Sequence, residues 1–227
     1  MLSKYMLEYK GVKVTWLGHD TFRISNGSTV YIDPYRLGKE QSTKADILLI
    51  SHEHFDHLSK DDLKKVIKDD TVIITTDKCA NELKGIKVKE VKVVKPWDKV
   101  SIKGIDVEAV PAYNTNKINP DTKRPFHPKE ANMLGFIVTI NGVRIYHAGD
   151  TDAIEEMRRL SNIDIALLPV SGTYVMTVDE AVQAVNMIKP KIAVPMHYGT
   201  IVGSEDDAKR FKNLVKVCDV NILKPEQ

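Results

Sequence analysis

Ser51-His52-Glu53-His54-Phe55-Asp56-His57 concentrates imidazoles and carboxylates in one short segment. His52, His54, Asp56 and His57 are all potential metal ligands, and mixed imidazole and carboxylate donors suit zinc, iron or manganese. The segment follows the wholly apolar run 47–50, which puts it at the carboxyl end of a buried strand, where the sites of α/β proteins form. His52 and His54 lie two apart and can face one cavity in extended backbone, while Asp56 and His57 come after the turn and can reach a neighbouring centre. A plain polar loop leading into a helix is the weaker reading. It would crowd three histidines and an aspartate together and leave some of them unsatisfied.

Upstream, β-branched runs over 12–17, 21–24 and 29–32 read as consecutive strands, with Asn26-Gly27 as a hairpin turn. Downstream, 60–68 reads as an amphipathic helix with Ser59 as N-cap. A strand over 71–75 and a helix over 78–84, stopped by Gly85, precede strands over 88–94, 99–102 and 106–110. Residues 111–129 contain Pro111, Pro120, Pro125 and Pro128 and show no periodicity; a loop of that length inside a domain is usually functional or disordered. It could serve as a substrate lid, a contact in a homo-oligomer, or both.

Strands over 135–140 and 143–146 then meet at Asn141-Gly142. A helix over 153–160, a strand over 163–168, a helix over 178–188, a strand over 192–195, a helix over 205–217 and a short strand over 220–223 complete the order. Two sheets face to face with helices outside would accommodate it. No repeat or flexible linker divides the chain, so 1–227 reads as a single α/β domain.

Composition excludes several classes. Hydrophobic residues make up 42% and the net charge is only +2, which argues against disorder and against a nucleic-acid partner. The lysine-rich stretches 60–68 and 84–99 read as a solvated helix face and an exposed strand edge, where lysine discourages further pairing. The longest apolar runs, such as 163–170, are far short of a membrane span. The first ten residues lack the apolar core of a signal peptide, so the cytoplasm is the expected compartment. Cys79 and Cys218 have no paired spacing and read as small apolar residues in a reducing compartment.

Two further residues end strands. Asp150 follows the strand 143–146 and could be a ligand or the N-cap of the next helix. His197 ends the strand 192–195 and could be a ligand or a core histidine. The string His52-Glu53-His54-Phe55-Asp56-His57 resembles the signature of the metallo-β-lactamase superfamily. Gly18-His19, Ile32-Asp33-Pro34, His147-Ala148-Gly149-Asp150-Thr151 and Pro195-Met196-His197-Tyr198 follow in the order found in small hydrolases related to L-ascorbate-6-phosphate lactonase. The resemblance runs along nearly the whole chain. It implies a four-layer αβ/βα sandwich and up to two metal ions, with His52 and His54 on the first, Asp56, His57 and His197 on the second, and Asp150 bridging. It also puts His19 at the mouth of the site and gives Asp33 a supporting role, since a ligating imidazole donates its second N–H to a carboxylate or carbonyl.

The chain departs from that pattern where the superfamily supplies a third histidine to the first metal. Here the aligned stretch reads Val110-Pro111-Ala112-Tyr113-Asn114-Thr115-Asn116. His127 could swing back to fill the gap; otherwise the first site is weak or empty, or an oxygen of Tyr113 or Asn114 serves. His19 could contact substrate, act as an acid, ligate metal, or tie down a turn. His147 reads as orienting the Asp150 loop, and Tyr174 and Tyr198 are candidates for polarising a substrate.

These residues predict hydrolysis of an ester, lactone, amide or phosphodiester in a small substrate by a metal-bound hydroxide, with Asp56 and His19 as catalytic candidates. A bound divalent ion lowers the pKa of water from 15.7 to about 7. Zinc is the expected ion, with manganese, iron or nickel as alternatives. Two other classes compete. One is an RNA or nucleotide phosphodiesterase, disfavoured by the absence of a basic face. The other is a non-catalytic metal domain, disfavoured because its sites are closed by four protein ligands. Di-iron oxidases of the superfamily resemble this chain less, because they carry Glu where His54 stands.

Overall fold

The structure, a computed structural model, describes residues 5–38 and 41–226; residues 1–4, part of the N-terminal stretch read above, lie outside the described residues. The first sheet consists of Met6–Tyr9 (β1), Val12–Gly18 (β2), Thr21–Asn26 (β3), Ser28–Ile32 (β4), Ile47–Leu49 (β5), Val72–Thr75 (β6) and Glu90–Val93 (β7), side by side in that order. The second consists of Lys99–Ile102 (β8), Ile105–Pro111 (β9), Leu134–Ile140 (β10), Val143–His147 (β11), Ile165–Pro169 (β12), Ile192–Met196 (β13) and Asp219–Val220 (β14), also in sequence order. The helices are Lys60–Val66 (α1), Asp77–Glu82 (α2), Val178–Ile188 (α3) and Glu205–Leu214 (α4).

Alternation along β5 explains the layering. Ile47 and Leu49 pack between the sheets with Val14, Phe22, Val107 and Phe136. Leu48 and Ile50 point the other way, onto Leu63 and Val66 of α1 and Cys79 of α2. Burying each such side chain is worth about 1.5–3 kcal/mol, and because both faces of β5 are covered its sequence is continuously apolar. Ala181, Val185 and Ile188 of α3 and Phe211 of α4 cover the second sheet. The layers are helix, sheet, sheet and helix, as the resemblance implies.

Each sheet is an antiparallel meander continued by parallel strands: β1 to β4 then β5 to β7, and β8 to β11 then β12 to β14. Parallel strands end on the same edge. Asp33 follows β4, Ser51 and His52 follow β5, Asp150 follows β11, Ser171 follows β12 and His197 follows β13. The end of β2 adds His19 and Asp20.

Some elements differ from expectation. β1 is an additional strand, joined to β2 by Lys10-Gly11 with φ of 48° and 76°. Lysine in the left-handed region is not a sequence signal for such a turn. The helix expected over 153–160 is a 3-10 turn at Glu155–Arg159, because Ile154, Met157 and Leu160 are buried at intervals of three, the repeat of that tighter helix. α4 stops at Leu214, since Val215 turns extended and enters the core. Among the described residues no helix is long and apolar enough to cross a membrane.

Candidate metal centre

The two sheet edges bring together two sets of donor atoms. In the first, His52 Nε2 lies 3.1 Å from His54 Nδ1, and His127 Nε2 lies 3.3 Å from His54 Nδ1 and 3.2 Å from Asp150 Oδ2. Asp150 Oδ2 is 4.0 Å from His52 Nε2. In the second, Asp150 Oδ1 is 3.4 Å from both His57 Nε2 and His197 Nε2, and Asp56 Oδ2 is 3.8 Å from His57 Nε2. Asp150 thus offers one oxygen to each set.

These sets fit metal ions. Donors bound at about 2.1 Å around a tetrahedral ion lie roughly 3.4 Å apart, close to the spacings seen here. His57 Nε2, His197 Nε2 and Asp150 Oδ1 are buried and make no hydrogen bond, an expensive arrangement for polar atoms unless a ligand satisfies them.

The remaining ring nitrogens show how each imidazole is aimed. Asp33 Oδ2 accepts from His57 Nδ1 at 2.8 Å and from Ser51 Oγ at 2.6 Å. Because Ser51 spends its proton on Asp33, its oxygen accepts from His52 Nδ1 at 2.9 Å. His127 Nδ1 donates to Asn114 Oδ1 at 2.9 Å, and His197 Nδ1 meets Ser171 Oγ at 2.9 Å. In the neutral rings, the nitrogens of His52, His57 and His127 that face Asp150 are thereby left with a lone pair to offer. Gly149 N–H donates to His147 Nδ1, so His147 Nε2–H donates to the carbonyl of Asp20 at 2.8 Å and ties β2 to the Asp150 loop.

Backbone strain gathers here too. His19, Asp33 and His197 have φ of 50°, 44° and 59°. Left-handed backbone at a non-glycine residue costs of order 1–3 kcal/mol and persists only where the surroundings enforce it. The enforcement is visible: the His19 carbonyl accepts from Trp16 Nε1 and His197 N, and the Asp33 carbonyl from Thr21 Oγ1.

Electrostatics point the same way. Burial drives His52 and His54 down, and neighbouring imidazoles add to it. Burial also takes His19 down to about 4, despite its bond to Asp56. For His197, burial is outweighed by Asp150 and Asp20, which hold it at about 9; Asp150 and Asp33 raise His57 in the same way. Burial would raise Asp150, yet His197 and His57 keep it well below the usual carboxylate range. Buried carboxylates therefore call for positive charge where the donors meet, and a divalent ion supplies it while displacing protons.

His127 reaches the centre because the polar loop is anchored along its length. Asp152, itself buried, accepts from Asn114 Nδ2 and from the N–H groups of Thr115 and Asn116. Glu180 takes Asn116 Nδ2 at 2.6 Å and Lys117 Nζ at 2.7 Å. Asp20 and Asp152 escaped the sequence reading, since isolated carboxylates reveal their partners only in three dimensions.

Other expected site residues lie elsewhere. The Tyr113 hydroxyl donates to Glu156 and accepts from Lys129, which removes it as a ligand oxygen. Asn114 supports His127 instead of standing in for it. Tyr198 is buried against Trp16 with its hydroxyl directed at the Leu223 carbonyl, away from any position to polarise a substrate. His19 is 1% exposed, bonded to Asp56 at 3.0 Å and packed on the His197 ring; it does not line the mouth, and its donor atom lies within 4.8 Å of those of Asp56, His57 and His197. The mouth is a cavity of about 320 Å³ lined by His54, Phe55, Asp56, Phe126, His127, Asp150, Tyr174 and Ile201. Phe126 and Tyr174 meet edge to face at 4.8 Å, and Phe55 is 68% exposed.

Residues 13–197 match the β-lactamase superfamily domain. A UPF0173 metal-dependent hydrolase of Archaeoglobus fulgidus is 33% identical, over 94% of this chain and 96% of its own. One of Pyrococcus abyssi is 35% identical, over 94% and 97%. Among solved structures, a protein of Parabacteroides distasonis assigned as a metal-dependent hydrolase superposes with a TM-score of 0.81 at 35% identity, covering 97% of this chain and 98% of that one. Igni18, a metallo hydrolase of Ignicoccus hospitalis, superposes with a TM-score of 0.76 at 23% identity, covering 95% and 96%, and shares the fold.

Proposed function

The chain belongs to the β-lactamase superfamily and is a metal-dependent hydrolase of its UPF0173 branch, and from that premise we propose that it binds two divalent ions and cleaves an ester, lactone, amide or phosphodiester bond in a small substrate with an apolar portion. His52, His54 and His127 hold the first ion, Asp56, His57 and His197 the second, and Asp150 lies between them. Zinc suits the first set, with manganese, iron or nickel as alternatives. A bound ion would lower the pKa of a water molecule and so supply a nucleophile near neutral pH.

The protein's own residues do the rest. Asp33, Ser51, Asn114 and Ser171 fix ring orientation, so that the donors are set before anything binds. His19 keeps its Nε2 proton on Asp56 Oδ2 and positions that carboxylate. Phe55, Phe126, Tyr174 and Ile201 wall the approach, and the cavity lining contains no lysine or arginine. That lining favours an apolar group over a polyanion, against an RNA substrate. We place the reaction in the cytoplasm, in keeping with free Cys79 and Cys218.

The observation that carries this reading is Asp150, with one oxygen in each donor set and Oδ1 without a hydrogen bond. Elemental analysis of purified wild type and Asp150→Ala, with hydrolysis of a panel of aryl esters, lactones and bis-aryl phosphates, tests it. Two ions and turnover in wild type, both lost in the variant, are expected. Normal metal content and turnover in Asp150→Ala would overturn it.

A further inference from the structure

Asp20 has no part in the ligand sets described so far, yet its carboxylate is fully buried beside the second of them. Neither oxygen has a hydrogen-bond partner. Oδ2 lies 3.9 Å from His57 Nε2, and one donor atom each of Asp20, His57, Asp150 and His197 fit within 4.8 Å of one another. Only the backbone of Asp20 is used structurally, through the His147 bond to its carbonyl and the turn that ends β2. A buried carboxylate with no donor is costly unless it is neutral or touches a cation. It lies beside His57, Asp150 and His197, whose Nε2, Oδ1 and Nε2 atoms likewise have no hydrogen-bond partner.

We propose that Asp20 is a further protein ligand of the second ion and that it makes this site selective for a hard divalent cation, Mn²⁺ in preference to Zn²⁺ relative to the first site. The inference rests on the metal-dependent reading above. Asp20 adds a second carboxylate oxygen beside Asp150, His57 and His197, the four donor atoms lying within 4.8 Å of one another. The first set holds three imidazoles and shares one carboxylate. Oxygen-richer, more highly charged sets favour manganese-like ions, whereas imidazole-rich tetrahedral sets suit zinc. The two sites therefore differ in preference although they share Asp150.

The test is Mn²⁺ binding to full-length, metal-stripped protein, followed by the electron paramagnetic resonance signal of free Mn²⁺, with parallel Zn²⁺ titrations and elemental analysis. Wild type is compared with Asp20→Asn, which keeps the shape and removes the charge, and with Asp20→Ser as a smaller alternative should the amide prevent folding. Circular dichroism verifies that each variant is folded. Removal of Asp20 is expected to weaken Mn²⁺ binding by at least about tenfold, the scale on which supporting contacts of a metal site act. Zn²⁺ at the first site should be unaffected. Unchanged Mn²⁺ affinity in a folded variant, with two ions bound by wild type, overturns the role of Asp20 alone. A wild-type protein that binds neither cation overturns the metal-dependent reading as well.

Discussion

Asn114 Oδ1 accepts two hydrogen bonds from His127, from the backbone N–H at 3.0 Å and from Nδ1–H at 2.9 Å. Its own amide is fixed in turn by Asp152 and by the Tyr174 carbonyl. A loop residue thirteen positions away in sequence therefore decides where an imidazole points.

Asn114→Ala should release His127 and weaken the first ion by about 10–100-fold, leaving the second nearly unchanged. Equilibrium dialysis with elemental analysis measures this. Retention of both ions at wild-type affinity would show that the His127 ring needs no such support.

Gly149→Ala tests the turn before Asp150. Gly149 has φ +63°, and a Cβ there would lie 2.5 Å from the Leu134 carbonyl oxygen. Strain and clash together should cost about 2–4 kcal/mol in urea unfolding and reduce metal content by moving Asp150. A variant as stable as wild type, with full metal content, would contradict the close approach.

Glu180 supplies a pH signature. Burial would raise its carboxyl, but Lys117, Asn116 and the Thr177 N–H and hydroxyl outweigh burial and hold it at about 2. Its folded value lies below the unfolded value of about 4.3, so its stabilisation is complete above that pH and is lost as pH falls toward 2. Glu180→Gln should be less stable near neutrality by about 1–3 kcal/mol and lose less stability than wild type between pH 5 and 2 (about the span of those two values). Parallel acid limbs in urea melts of the two proteins would exclude this contribution.

Substrate preference follows from the mouth of the cavity. Among aryl and alkyl esters of one acid, activity should rise with the apolar size of the group facing Phe55 and Ile201. Phe55→Ala should raise KM for the larger esters by about tenfold, with kcat little altered. Equal KM changes for small and large esters would point to a different binding face.

Most of the fold could be read locally. The helix expected over 178–188 coincides with α3, and the strand before His52 was marked by its continuous apolar run. The donors His52, His54, Asp56, His57, Asp150 and His197 stand at strand ends, so a short motif carries each of them. His127 was ambiguous because its placement depends on Asn114, Asp152 and Glu180, which are distant in sequence. Asp20 was invisible for a related reason: a carboxylate next to a histidine acquires meaning only when His57, Asp150 and His197 arrive from three other strands.

The division of donors between the sheets bears on how the protein is made. His52, His54, Asp56 and His57 belong to the half synthesised first, whereas His127, Asp150 and His197 follow far behind. A nascent chain that has emerged only through β7 presents imidazoles without the carboxylate that joins them. On the proposed ligand sets the first ion would wait for Asp150, after β11, and the second for His197, after β13, so loading would come late in biogenesis and a captured ion would fasten the older half of the chain to the younger.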